Sequence, residues 1–223
     1  VNDRPPTYRR TFSLLFALAA AGCTEEAKAP PSDLLLSIDG LEIRRAEVEP
    51  LVKFFDSIGP EWATRVKYRR ALDEFVIPLR LAQRAFPAER AKLLERAQHL
   101  RSVATNVIEL EKQGAQQVLK RQDLTRRSVE IPVATFLFDP MTTGGVSDPI
   151  EVPRGWILAG AYEIKEAALV LDDLADAVQV GFLTHTPGDW ATWLDLEKHR
   201  LADKLTYVHP DFREHLPEWI KLP

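Results

Sequence analysis

A single cysteine, Cys23, occurs among 223 residues, so no intramolecular disulfide can form and no thiolate metal cluster can be built. Basic charge is not in excess. With 29 Lys and Arg against 33 Asp and Glu, the electrostatic footprint of a nucleic-acid binder is missing. No glycine-rich phosphate loop is present. The run Gly144-Gly145-Val146-Ser147-Asp148 lacks the Gly-x-Ser-x-Gly spacing of a nucleophile elbow. The five histidines (His99, His185, His199, His209, His215) form no His-x-x-x-His pair and no ligand-spaced set with carboxylates, so no metal site is expected. What remains is ordinary for a globular chain: 45% hydrophobic and 28% charged residues argue against disorder or a fibre.

The longest apolar stretch near the start, Phe12 to Ala21, is far short of the ~20 residues that span a bilayer. It follows Arg4, Arg9 and Arg10 and so reads as a signal-peptide core. Ala20-Ala21-Gly22-Cys23 resembles a bacterial lipobox, with Ala20 where leucine is usual. The resemblance implies lipidation of Cys23 after removal of residues 1–22, and a membrane attachment through that lipid. A plain secretory signal with an incidental cysteine is the alternative. Arg9-Arg10-Thr11-Phe12-Ser13-Leu14 leaves both the general and the twin-arginine export routes open. Thr24, rather than Asp, after the cysteine implies the outer membrane, on the periplasmic side of a bacterial envelope. Residues 23–33 are polar and proline-containing and read as a tether.

Residues 34–127 read as mainly helical. Leu34, Leu36 and Ile38 alternate as a strand, Asp39-Gly40 is a hairpin turn, and Leu41 and Ile43 resume the alternation. A helix follows, placed nearer Val48 because Pro50 suits a first turn. Leu72, Phe75, Val76 and Leu79 give a second helix, from about Glu61 to Phe86, one apolar face, and Pro78 should kink or split it. Pro87 and Glu89 open a third, whose seam of Leu93, Ala97, Leu100, Ala104 and Val107 suits lengthwise packing on other helices. It is expected to continue through Glu111 to Leu124, with a weak point at Gly114. Ile38, Asp39, Gly40, Ile43, Glu47 and Val48 resemble the opening of SurA-type periplasmic chaperones. Arg44 stands where that family has a Ser or Thr helix cap. Ala71 to Phe86 resembles the family's second helix.

The β-branched and aromatic run from Ser128 to Pro140 reads as a strand. Pro149 to Ala167 reads as a short strand, a Pro153-Arg154-Gly155 turn and a longer strand. Gly145, Val146, Ser147 and Pro149, with Gly155 and Trp156, resemble the end of a parvulin-type peptidyl-prolyl isomerase domain. That family carries histidine where Ile157 stands and another in its first strand. Both are absent here, as is its helical middle, so the resemblance is to a degenerate, truncated member without catalytic residues. Gly155-Trp156 reads equally as a turn followed by a buried strand residue. Glu166 to Leu183 is ambiguous between helix and strand. Asp189 is expected to cap a last helix with Trp190, Trp193, Leu194, Glu197 and Leu201 on its inner face. A short strand ending at Pro210 follows.

The expectation is therefore an α+β chain. A helical part (34–127) is completed by the carboxy-terminal helix and strand (184–223), with a small antiparallel sheet within 128–183. The resemblance implies a lipid-anchored, catalytically inert chaperone-like protein that binds unfolded or nascent envelope polypeptides, needing no cofactor. Phe136, Phe138, Trp156 and Ile157 are the candidate peptide-binding residues. A scaffold lipoprotein docking one dedicated envelope partner, and an active isomerase, are the alternatives.

Overall fold

The computed structural model describes residues 33–114 and 118–222. The expected signal peptide, Cys23 and all of the expected tether except Asp33 lie outside them. Among the described residues no helix is long and apolar enough to cross a membrane.

The fold is α+β, and the described residues form two antiparallel sheets and seven α-helices. The first sheet has the order β2-β1-β7. Strands β1 (Leu34–Ile38) and β2 (Leu41–Arg44) meet at Asp39-Gly40, where φ is 50° and 77°. Two positive φ angles in a two-residue turn match the right-handed twist of the strands it joins, and Asp-Gly supplies them cheaply. Strand β7 (Leu205–Val208) lies on the other side of β1, with Ser37 opposite Tyr207. The last described strand is thus brought back to the first.

Helix α1 (Arg45–Ile58) starts earlier than Pro50 suggests. Pro50 falls on an exposed face, where the lost hydrogen bond is not buried. Arg44 cannot accept a hydrogen bond as a Ser or Thr cap would. Glu47 Oε1 instead accepts from the Arg44 backbone N–H at 3.0 Å. Helix α2 (Thr64–Arg70) runs through a π-turn (Ala71–Val76) into α3 (Ile77–Ala85) without a break. Pro78 does not split it. Its missing N–H falls where the ladder changes from the wider π spacing to the α spacing, so the change absorbs the gap. Helices α1 to α3 pack with the first sheet around Leu35, Leu36, Phe55, Leu72 and Ile77, and Leu201, Phe212, Leu216 and Ile220 complete that core from the far end of the chain.

The second sheet has the order β3-β6-β5-β4. Strand β3 (Val118–Thr125) lies where the helical reading continued through Gly114. Helix α4 (Pro87–Val103) stops early, α5 (Val107–Gly114) is short, and eight residues of β3 pair with β6 (Leu174–Leu183). Lys, Arg, Gln and Asp in β3 are poor local strand formers, so this strand is set by its distant partner. The seam of α4 packs chiefly on the sheet, with α5 beside it: Leu93, Ala97 and Leu100 share a core with Leu158, Val180 and Phe182 and with Val107 and Leu110. Strands β4 (Ile150–Val152) and β5 (Gly155–Lys165) form a hairpin closed by Pro153-Arg154.

The expected strand from Ser128 to Pro140 is instead helix α6 (Ile131–Leu137). Pro132 sits in its first turn, where no N–H is needed. Val133, Ala134, Leu137 and Phe138 fall on one helical face and are buried against Ala159, Ala161 and Ala177 of the sheet. The β-branched content misleads because burial on a flat small-residue surface outweighs local preference. The sheet therefore begins ten residues before the expected boundary at 128 and carries helices on both faces. Helix α7 (Pro187–Leu201) is capped by Thr186, whose Oγ1 accepts from Asp189 N at 3.3 Å, one turn before the expected capping residue.

Candidate functional site

Alternation along a strand sends neighbouring residues to opposite faces. On β6, Ala175, Ala177, Gln179, Gly181 and Leu183 share the α6 face. Helix α6 covers Ala175 and Ala177 and stops short of the rest. An open cleft of about 310 Å³ is left over the uncovered end. Its floor is Ile157, Gly181 and Leu183, with the amides of Gln122 and Gln179. Its walls are Arg127 to Glu130, which lead into α6, and Arg154 from the β4–β5 turn.

The walls are held firmly. Gly155 has a φ of 148°, and a side chain there would meet the Phe182 carbonyl oxygen at 2.1 Å. Only glycine brings the turn so close to β6. The backbone oxygen of Arg154 accepts from Thr184 N at 2.8 Å. Behind the sheet, the buried Arg90 of α4 donates from Nη1 to Pro153 O at 2.8 Å and from Nη2 to Glu151 Oε1 at 2.8 Å. The guanidinium of Arg127 lies 5.8 Å from the centre of the Trp62 ring, a cation–π contact that fixes the opposite wall.

The charges inside make no direct ion pair among the described residues, although Arg154 acts on Glu130 through space. Arg154 Nη1 is shut off from solvent with no hydrogen-bond partner. Among the described residues, neither its guanidinium nor the Glu130 carboxylate forms an ion pair. Burial pushes the Glu130 carboxyl above its ordinary pKa. Arg154 pulls it down, and Glu74 adds to the upward shift. Ser128 Oγ is spent in a turn, accepting from Thr125 N and donating to Thr125 O, both at 2.9 Å, so it is not poised as a nucleophile. No group of three or more His, Cys, Asp or Glu among the described residues could hold a metal ion.

The four expected peptide-binding residues do not share one surface. Ile157, 8% exposed, forms part of the cleft floor. Trp156 points to the α4 side, where its Nε1 donates to Arg90 O at 3.1 Å. Phe138 is buried beneath α6, with the Arg126 guanidinium 4.7 Å from its ring centre. Phe136 is half-buried on α6, and its carbonyl accepts from Thr142 Oγ1 at 2.7 Å. Sequence reasoning missed Gln122, Gln179, Glu130, Arg127 and Arg154. The available signal was Gln179, an amide among small and apolar residues on one strand face. Comparison with family models, with curated proteins and with solved structures gave no match.

Proposed function

We propose that the protein is a chaperone-like envelope lipoprotein, anchored through a lipid on Cys23, that binds extended segments of unfolded polypeptide without isomerising them. The observation that supports chain binding is the cleft over the uncovered end of the second sheet. Its lining mixes apolar floor with amide and guanidinium groups, which suits a peptide: side chains rest on Ile157 and Leu183 while backbone groups meet Gln122 and Gln179. Strand β3 is an edge of the same sheet, so a guest chain leaving the cleft has backbone groups to pair with. The resemblance to degenerate parvulins agrees with a binding site that lacks catalytic histidines.

The test is suppression of aggregation. The purified protein is expected to slow light scattering by a refolding outer-membrane protein, and Gly181→Trp, which fills the cleft floor, to abolish the effect, with circular dichroism to check that the variant keeps its fold. Equal aggregation with and without the wild-type protein would dismiss the reading. One surface feature favours the scaffold alternative. The β5–β6 connection exposes Leu169 (64%) and Val170 (50%) between the acidic Glu166 and Asp172, a small apolar tip that suits one partner with a basic rim. Selective pull-down of one complex, with no affinity for generic unfolded chains, would favour it.

A further inference from the structure

An internal peptide segment does not use all the charge in the cleft. Arg154 lines the cleft, and among the described residues its guanidinium makes no ion pair, so its charge is left for an anion that enters. Arg127, fixed over Trp62, has no ion-pair partner among the described residues. Two guanidiniums are more than a neutral backbone carbonyl requires, whereas a carboxylate has two oxygens to offer and the planar geometry to meet an arginine fork. The space is also small. At about 310 Å³ it lies at the lower limit of ligand pockets, so it holds a short stretch of chain, which a chain end can supply.

We propose that the cleft captures the free C-terminal carboxylate of a polypeptide, with Arg154 and Arg127 on the carboxylate and Ile157 and Leu183 under the last side chain. Such capture presupposes the chain-binding role proposed above. Gln122 and Gln179 then meet the final peptide groups. Glu130 is the opposing feature. As an anion it repels the ligand; protonated, it donates to it. The charged groups acting on it are Arg154 and Glu74, with Arg127 in the same wall. Capture therefore strengthens as pH falls through the Glu130 titration, for as long as the ligand stays ionised.

The experiment is fluorescence anisotropy of labelled peptides with the full chain. One short peptide ending in leucine is offered as the free acid, as the C-terminal amide, and as an amide carrying an internal glutamate. A charge-assisted hydrogen bond corresponds to about ten-fold or more in affinity, so the free acid is expected to bind tighter than the amide by at least that factor. Arg154→Gln removes the difference, and Arg127→Gln, at an exposed side chain, reduces it if the first variant folds poorly. Glu130→Gln tightens binding of the acid at neutral pH by more than it alters binding of the amide. Equal binding of acid and amide overturns terminal capture and leaves chain binding standing. Equal binding of the free acid and the internal glutamate peptide assigns the site to any carboxylate and also overturns it. Binding of no peptide removes both readings.

Discussion

His215 sits in a half-buried ring stack, 5.0 Å from Tyr68 and 5.3 Å from Phe212, with Nδ1 buried and unpartnered. Burial holds its pKa below the ordinary value. Arg69 adds to that shift and Glu214 opposes it. A base with a depressed folded pKa takes up its proton more readily when unfolded. Its contribution is intact above the unfolded value of about 6.5 and is lost as pH falls toward the folded one. The melting temperature should drop between about pH 7 and about pH 5, and His215→Gln should drop less over that interval. A wild-type and variant pair that track each other across it would show that the ring is not the sensitive group.

Helix α5 shows how a single position carries an element. A Cβ on Gly114 would sit 2.6 Å from Val180 Cγ2, a buried β-branched atom with nowhere to move. Alanine has the better helix propensity by ~1 kcal/mol, but overpacking a tight contact costs about 1–3 kcal/mol, so Gly114→Ala is expected to destabilise. Urea denaturation would show it as a lower midpoint at unchanged slope. The same glycine was readable in the sequence only as a weak point in a long helix. What it marks, an approach of α5 to a strand more than sixty residues away, has no local signature. The Asp39-Gly40 hairpin, the Pro87 start of α4 and the buried seam from Leu93 to Val107 were legible because each rests on neighbours in the chain. Strand β3, helix α6 and the cleft were not, because each depends on what the second sheet places opposite it. In the sequence Ile157 stands out only as an apolar residue where a catalytic one is missing, and Arg154 only as a turn residue.

At the scale of the molecule, the two ends of the described chain share one core. Leu205, Phe212, Leu216 and Ile220 are buried with β1 and α1 to α3. At ~1.5–3 kcal/mol each, these four side chains rival the roughly 5–15 kcal/mol by which domains are stable. A chain ended at Leu201 should lose cooperative thermal unfolding by circular dichroism, not merely melt a few degrees lower. Retention of a sharp transition would show that β7 and the segment after it are dispensable. Phe54 packs against this core and against the α6 side of the second sheet, so the two sheets should unfold in one transition.

Arg90 reaches through to the carbonyls of Val152 and Pro153, the residues just before Arg154. The helix behind the sheet is thereby geared to the turn in front of it. Under the proposed chain binding, a guest that drags on the cleft wall would pull on α4 as well. Trp156, whose indole donates to the Arg90 carbonyl on the α4 side, would then report that pull by its fluorescence once the other tryptophans are replaced.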